Sequence, residues 1–591
     1  MIKVSDYIAK YLKQKYNIKH IFMLSGGGAM HLNDSFGRET SYTCLHNEQA
    51  LAIAGEGYCR YDQQLAVVNV TTGPGGLNCL NGVFGQWTDS AAVLYISGQV
   101  KFETTIHSCP EINLRQLGDQ EVDIISVVKP LVKYCKMVEN PYEIKAALDK
   151  AVFMATNGRK GPVWLDIPMN VQGAVIEENK LFETEIDYPK IKIEPFQKEQ
   201  LINKLKRSNR PLIIAGHGIR LSEAQSEFEK LQNNLKIPIV TTLNGMDSVT
   251  DDNPYFIGRI GTIGQRAGNF ALQNADLILC LGTRNNIRQV SYNWENFAKK
   301  AFKIVIDIDS AELKKPTIKP DLAIHANLKD VIQELNNSEL NIDRKDWLNW
   351  CLERRNKYLP NKAKEYAQTS SIINPYFFVI TLTELLKENE LIVTSNASSL
   401  VCTFQAGTIK RGQRVILNSG NASMGYDLPA AIGACIAADK KRTICLTGDG
   451  SIMMNIQELQ TIKHHNLPIK IFVFNNNGYS SIKQTQGNFF NGHLTACEPD
   501  SGVSMPNFAN IAKGFGIEAL RIDNTQDIGE KITKILETDG PFLCDVIMEP
   551  HQIFIPKLSS EKLPDGKMIS KPLEDMYPFL DREEFKSNML Y

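Results

Sequence analysis

Short apolar runs alternate with amphipathic segments along most of the chain, and this alternation is typical of α/β domains. The first segment carries Val4, Ile8, Tyr11 and Leu12 at helical spacing, which predicts an amphipathic helix. Runs such as residues 65–70 are short, continuous and rich in valine, as in buried parallel strands. We therefore predict an α/β protein with three doubly wound, mostly parallel sheets flanked by helices.

The same pattern divides the 591 residues into three domains and a tail. A chain of this length exceeds a single hydrophobic core. Charged stretches of weak periodicity mark linkers, and the predicted units are residues 1–180, 195–345, 370–550 and the tail 551–591. Prolines recur through the tail without helical periodicity, which excludes one long helix there. We expect the tail to drape over the globule, either as surface packing or as a cover that closes the active site.

The strongest chemical signal is the turn Gly448-Asp449-Gly450-Ser451, which follows one apolar run, while Asn476 follows the next. The segment between them has helical spacing, so the whole predicts one βαβ unit. A right-handed crossover brings the carboxyl ends of both strands to the same edge of the sheet. A carboxylate, an amide oxygen and a nearby carbonyl suit Mg²⁺ holding a diphosphate, and the glycines allow the phosphates to approach closely.

Gly-Asp-Gly-Ser followed by Asn-Asn at this spacing resembles the thiamine diphosphate and magnesium motif of the acetohydroxyacid synthase and pyruvate oxidase group. The resemblance covers about residues 1–555. It implies metal ligation by Asp449, the side chain of Asn476 and the main-chain carbonyl of Gly478. It also implies that Met424 wedges beneath the cofactor and that the Ala422 carbonyl accepts a hydrogen bond from it. Further cofactor-binding positions are expected at Gly27, Gly28, Gly73, Gly448, Gly450 and Ser451.

Glu48 lies at or just before the first turn of a predicted helix of small residues. A glutamate there is often a simple helix-terminal charge. In the resembled family the matching glutamate hydrogen-bonds N1′ of the aminopyrimidine and promotes loss of the thiazolium proton. That role needs a carboxyl group whose pKa is raised by burial. We therefore predict Glu48 as a catalytic residue.

Two positions depart from the resembled synthases on the acceptor side of the pocket. Asp119 stands before Gln120, where the synthases carry a phenylalanine, and Met169 stands where they carry a lysine. Asp119 and Gln120 suit a hydroxylated acceptor, whereas an aromatic ring and a cation suit a small 2-oxo acid. We predict a catalytic role for both residues, slow acetolactate formation and preference for a neutral, hydroxylated carbonyl acceptor.

The middle domain raises the question of a second cofactor. Its first strand ends in Gly216-His217-Gly218, which lacks the third glycine of a dinucleotide fingerprint, so this pattern gives no support for nucleotide binding. The resemblance instead implies a structural FAD near Gly261, Arg284 and Arg288. Arginines on a solvated surface are the alternative explanation.

Composition narrows the partners and the compartment. The net charge of -1 gives no support for a nucleic-acid or acidic-membrane partner. There is no long apolar span and no N-terminal signal, so we expect a cytoplasmic protein without a membrane partner. The twelve cysteines are scattered and are interpreted as reduced core residues.

The resemblance implies a homodimer or homotetramer that binds Mg²⁺ and thiamine diphosphate between subunits. It would use a 2-oxo acid, pyruvate above all, as two-carbon donor to an acceptor carbonyl, as acetolactate synthases do. Alternatives are transfer to a nucleotide-linked keto sugar, a simple 2-oxo acid decarboxylase or oxidase, and a non-catalytic cofactor binder. The combined presence of Glu48, Met424, Asp449 and Asn476 disfavours the last.

Overall fold

The computed structural model describes residues 1–186, 191–340, 342–358, 372–562 and 568–590. Three six-stranded sheets form its framework, and every pairing within them is parallel, which confirms the predicted fold class. In spatial order, the N-terminal sheet contains Ser41–Thr43, His20–Met23, Ala66–Val70, Val93–Gln99, Val163–Pro168 and Cys135–Met137. The middle sheet contains Phe256–Arg259, Ile239–Thr241, Pro211–Ala215, Leu277–Leu281, Phe302–Asp307 and Leu322–His325. The C-terminal sheet contains Arg414–Ile416, Leu391–Thr394, Thr443–Gly448, Ile469–Asn475, Phe542–Ile547 and Glu518–Ile522.

Helices cover the faces of all three sheets. The main helices of the N-terminal domain are Val4–Tyr16, Met30–Glu39, Glu48–Asp62, Pro74–Asn78, Leu80–Asp89, Ile124–Val128, Ile144–Thr156 and Met169–Gly173. Those of the middle domain are Pro195–Arg207, Gly218–Leu221, Gln225–Leu235, Arg266–Asn274, Ile287–Val290, Leu328–Asn336 and Lys345–Lys357. Those of the C-terminal domain are Pro375–Leu385, Ala397–Ala406, Asp427–Ala437, Asp449–Met453, Glu458–His464, Ser480–Phe489, Phe508–Gly514 and Ile528–Glu537. The domain boundaries given above remain predictions.

The first and third domains pack through helices Glu48–Asp62 and Asp427–Ala437, whose small residues allow close approach. A Cβ added at Gly57 would lie 2.2 Å from the Ala430 carbonyl oxygen, and one at Gly433 would lie 1.8 Å from that of Ala54. Because these contacts are with backbone, larger side chains would force the helices apart. The small-residue composition of both helices therefore fixes how the two domains sit together.

The tail docks on the middle domain. It contains a hairpin of strands Ser560–Lys562 and Met568–Ser570 and a helix, Arg582–Ser587. The side chain of Asn269 donates to the Leu573 carbonyl over 3.0 Å, and Leu573 is buried. The tail therefore packs on helix Arg266–Asn274, which is how it covers the globule. In the part of the chain that the structure describes, no helix is long and apolar enough to cross a membrane.

Candidate active site

Asp449 begins a short helix, Asp449–Met453, directly after strand Thr443–Gly448, so its carboxylate lies at the carboxyl edge of the sheet. It is 2% exposed. Three backbone N–H groups donate to it, from Gly450 at 2.7 Å, Asn476 at 3.1 Å and Gly478 at 3.0 Å. Burial raises its pKa to about 6, against the lowering effect of those hydrogen bonds. The predicted convergence of Asp449 and the loop after the next strand is confirmed.

The Asn476 side chain has a free acceptor at this edge. Its Oδ1 atom is buried and has no hydrogen-bond partner among the described residues. A buried acceptor without a partner costs free energy unless a ligand satisfies it. Gly478 follows in the left-handed region at φ 136°, and a Cβ there would lie 2.2 Å from the Cys497 carbonyl oxygen. The loop is therefore held in a conformation that favours glycine and leaves one amide oxygen unused.

These donors fit a hard, oxygen-seeking cation. Among the described residues, no three His, Cys, Asp or Glu side chains gather in a way that could hold a metal. Any metal at this edge would thus depend on one carboxylate, one amide oxygen and backbone oxygen, with the rest of its shell supplied by a ligand or water. That donor set suits Mg²⁺, which keeps several such positions for phosphate oxygens.

A buried aspartate, Asp427, supports the Gly-Asp-Gly turn through hydrogen bonds. Sequence reasoning missed this residue. Its carboxylate accepts hydrogen bonds from Ser395 at 2.6 Å, Thr447 at 2.8 Å and Ser451 at 2.9 Å. Ser451 in turn accepts from the Gly425 N–H at 2.9 Å. Burial raises the pKa of Asp427. Ser451 thus links the Gly-Asp-Gly turn to the loop that precedes helix Asp427–Ala437.

Met424 lies over the Gly-Asp-Gly turn. A Cβ placed on Gly450 would be 3.1 Å from the Met424 methyl carbon and 2.3 Å from the Tyr479 ring. Ala422 adopts φ 53°, and its N–H donates to Asn418 Oδ1 at 2.9 Å. A Cβ added at Gly448 would lie 3.9 Å from the Ser451 Cβ, an ordinary van der Waals contact. The structure therefore places Met424 against the turn, and the cofactor contacts expected of Met424 and Ala422 remain predictions.

The two glycine loops of the N-terminal domain lie side by side. The Gly28 N–H donates to Thr71 Oγ1 at 3.1 Å, while Gly27 faces open space. Gly73 adopts φ 63°, and a Cβ there would lie 2.0 Å from the Gln120 carbonyl oxygen. The predicted site-edge residues Gly27, Gly28 and Gly73 thus share one sheet edge with Gln120.

Glu48 is the first residue of helix Glu48–Asp62, whose N-cap Asn47 accepts a hydrogen bond from the Gln49 N–H. Its carboxylate accepts from Asn78 Nδ2 at 3.0 Å. The side chain is partly exposed in the single chain. The burial that its predicted role requires would therefore have to come from a second subunit or from bound cofactor.

The predicted acceptor residues lie on exposed or half-buried surface of the single chain. Asp119 and Gln120 are exposed, and Met169 is half-buried at the start of helix Met169–Gly173. Their loop is held by Glu121, whose carboxylate accepts from the N–H groups of Ile106 at 2.5 Å, Leu117 at 2.8 Å and Gly118 at 3.0 Å. Sequence reasoning missed Glu121, although it is adjacent to Gln120.

A second missed residue, Asp166, underlies the same edge. It is fully buried, and it accepts from Ser97 at 2.6 Å and from the Gln99 side chain at 3.0 Å. Gln99 also accepts from Thr72 at 2.5 Å and donates to the Val122 carbonyl at 3.0 Å. Burial raises the pKa of Asp166 to about 7. Through Gln99, Asp166 positions both the glycine loop and the acceptor-side loop.

A separate cavity of about 370 Å³ lies where the three domains meet. Arg284 and Arg288 line the cavity, whereas Gly261 does not. The backbone N–H and carbonyl of Gly261 are both hydrogen-bonded to the side chain of Asn269. His217 also lines the cavity, with both ring nitrogens buried and without partners among the described residues. Burial holds the His217 pKa well below its usual range, so the ring is neutral and offers one donor and one acceptor.

The fold and the Asp449 edge together define a thiamine diphosphate-dependent enzyme. Three family models match: the N-terminal TPP binding domain of thiamine pyrophosphate enzymes over residues 2–125, the central domain over 199–335, and the C-terminal TPP binding domain over 398–546. Together they span most of the chain, and the chain belongs to this family.

Relatives place it more closely within that family. The acetolactate synthase large subunit of Cyanidium caldarium is 30% identical over 95% of this chain and 96% of its own length. The probable acetolactate synthase large subunit of Methanocaldococcus jannaschii is 30% identical over 93% of each chain. Acetolactate synthase 1, chloroplastic, of Oryza sativa subsp. japonica is 30% identical over 93% of this chain and 85% of its own length. The chain is therefore an acetolactate synthase-like thiamine diphosphate enzyme.

Proposed function

We propose that the protein is a decarboxylating carboligase that takes a two-carbon unit from pyruvate and adds it to the carbonyl of a second substrate. The main support is the free Oδ1 of Asn476 beside the buried Asp449 carboxylate, because this edge is built to accept a cation and its diphosphate. The names of the relatives favour acetolactate synthesis over keto-sugar transfer, simple decarboxylation or oxidation.

In this proposal Asp449, Asn476 and the Gly478 carbonyl would hold Mg²⁺, and Met424, which lies close to Gly450, would support the cofactor. Thiamine diphosphate supplies the electron sink that makes loss of CO₂ from a 2-oxo acid feasible. Glu48 holds and returns a proton at the pyrimidine nitrogen. Asp119 and Gln120 face the acceptor, and the surrounding loops exclude water.

The partial exposure of Glu48 in the single chain supports a homodimer or homotetramer. Its partner Asn78 lies next to a surface on which Leu77, Phe84 and Trp87 are 37%, 40% and 39% exposed. Apolar surface of this kind marks an interface. A second copy of the chain on this face would bury both the apolar side chains and Glu48, so the cofactor would lie between the first domain of one subunit and the third of another.

FAD is the ligand we propose for the central cavity. Arg284 and Arg288 suit a diphosphate, and the unpaired ring nitrogens of His217 suit the polar edge of a bound ring. The absorbance spectrum of the purified enzyme tests this directly. Flavin bands that are lost in Arg284→Ala support the assignment, whereas a colourless enzyme that gains no flavin on incubation contradicts it.

The function is tested by CO₂ release from pyruvate by enzyme stripped of cofactor. Release that needs both Mg²⁺ and thiamine diphosphate supports the proposal. Release that is insensitive to either, or absent when both are bound, contradicts it.

The protein is expected in the cytoplasm, and its twelve cysteines are all unpaired in the chain, as a reducing compartment requires.

A further inference from the structure

Lys483 lies directly against the loop that carries Asn476. Helix Ser480–Phe489 begins just after this loop, and its first turn directs the lysine back over the loop. The ammonium group donates to the Asn477 carbonyl at 3.2 Å and to the Asn476 carbonyl at 3.4 Å. Its side chain is only 9% exposed. A mostly buried cation is thus fixed beside the proposed metal and diphosphate site.

Within the described part of the chain, the charge of Lys483 is incompletely balanced. The nearest carboxylate there is that of Glu498, at 3.6 Å, which is longer than a hydrogen bond. The lysine also lies in the first turn of its helix, where the helix dipole disfavours a cation. A buried cation in such a place is favoured when an anion binds nearby.

We propose that Lys483 strengthens the binding of thiamine diphosphate by supplying positive charge next to its diphosphate. The inference rests on the proposed function and concerns a residue to which that function assigns no role. The diphosphate carries more negative charge than one Mg²⁺ neutralises, and Asp449 adds another negative charge. Lys483 offsets part of this excess while its hydrogen bonds hold the loop carbonyls in place.

The competing explanation is that Lys483 only braces the polypeptide. Glu498 belongs to a segment that is already tied to the loop, because the Tyr479 N–H donates to the Cys497 carbonyl at 2.8 Å. If the lysine merely holds this segment through Glu498, removing either partner should have the same effect. If its charge acts on the diphosphate, removing Lys483 should weaken binding, whereas removing the charge of Glu498 should not.

The test is the affinity for thiamine diphosphate at saturating Mg²⁺, measured by titration calorimetry on the full-length protein. Lys483→Met should weaken binding by about 10- to 100-fold, because a unit charge within several ångströms acts through a partly screened medium. Lys483→Arg should bind within a few-fold of wild type. Glu498→Gln, which removes a competing negative charge, should bind as tightly as wild type or more tightly.

Two outcomes overturn the inference while leaving the cofactor assignment intact. One is wild-type affinity in Lys483→Met, and the other is a loss in Glu498→Gln equal to that in Lys483→Met. If Lys483→Met does not fold, the Glu498→Gln affinity decides alone, since any weakening there contradicts a charge effect. A wild-type protein that does not bind thiamine diphosphate in Mg²⁺ would instead overturn the proposed function itself.

Discussion

The backbone N–H of Asn476 donates to the Asp449 carboxylate over 3.1 Å, although the two residues are 27 positions apart. This bond joins the ends of two neighbouring parallel strands. It leaves the Oδ1 atom of the Asn476 side chain buried and without a hydrogen-bond partner among the described residues, ready for a ligand. The metal site proposed here therefore depends on backbone geometry as much as on the identity of the ligands.

Asp449→Asn should abolish the Mg²⁺-dependent binding of thiamine diphosphate. The amide keeps the size of the side chain but removes the charge that offsets Mg²⁺. Because Asp449 is a proposed direct ligand, the loss should exceed the roughly 10- to 100-fold cost of losing an outer-shell partner. Calorimetry measures it, with Asp523→Asn on the exposed surface as the control. Unchanged affinity in Asp449→Asn would place the metal elsewhere.

Glu48→Gln should keep the cofactor but lose turnover by about 100- to 10,000-fold, the usual range for an acid–base residue. Glutamine can hydrogen-bond but cannot exchange a proton at the pyrimidine nitrogen. The measurement is exchange of the thiazolium proton with solvent deuterium in the bound cofactor. Glu103→Gln, at an exposed position, serves as the control. Exchange at the wild-type rate in Glu48→Gln would remove the residue from the mechanism.

Gly450→Ala should destabilise the turn, because the new methyl group would lie 2.3 Å from the Tyr479 ring. Overpacking of this kind typically costs about 1–3 kcal/mol. The matched control is Gly514→Ala, where nothing lies within 4 Å of the added carbon and a helical alanine is favoured. Thermal unfolding and cofactor affinity are compared for both. Equal behaviour of the two variants would show that the turn adapts without cost.

The double variant Asp119→Phe with Met169→Lys should raise the fraction of pyruvate converted to acetolactate. An ionised Asp119 facing the acceptor would repel a carboxylate about 4 Å away by roughly 4 kcal/mol at an effective dielectric of about 20. The variant removes that repulsion and adds an attractive cation. The measured quantity is acetolactate formed per CO₂ released, and hydroxylated aldehydes are offered as competitors. A wild-type ratio equal to that of the variant would contradict the effect.

Stability should depend on pH through Asp166. Its folded-state pKa of about 7 lies above the ordinary aspartate value, so the folded state binds the proton more tightly than the unfolded state. The free energy of unfolding that this difference contributes is up to about 4 kcal/mol. It is fully present below the pKa of the unfolded state and is lost as the pH rises through about 7. Asp166→Asn cannot ionise. Its unfolding midpoint should therefore gain on that of wild type between about pH 4 and about pH 7, and parallel midpoints would contradict the prediction.

The sequence predicted the fold class and the Asp449 edge because both depend on local order along the chain. Alternating runs specify parallel strands, and a right-handed crossover brings Asp449 and Asn476 together whatever the rest of the chain does. Asp427 was missed because its carboxylate meets Ser395 and Thr447, 32 and 20 residues away, and no spacing rule connects these positions. Arg284 and Arg288 of the central cavity were named from the family resemblance, but the cavity itself could not be predicted, since its walls come from all three domains.

The acceptor side could be predicted least. Asp119 and Met169 are recognisable only as departures from a family pattern, and they lie at exposed and half-buried positions of the single chain. Glu121 and Asp166 hold that region in place, yet each resembles an ordinary polar residue in the sequence. Their roles emerge only when the loops they organise are seen to meet at Gly73 and Gln99.

The most direct test of the central claim uses pyruvate labelled with ¹³C in its methyl carbon, supplied alone with Mg²⁺ and thiamine diphosphate. Carbon NMR then follows the products of wild type, Asp449→Asn and Glu48→Gln. The account predicts that wild type releases CO₂ and forms acetolactate in which both methyl groups carry label, while neither variant does so at a comparable rate. Absence of any carbon–carbon bond formation by wild type with pyruvate, alone or with an added carbonyl acceptor, would contradict it.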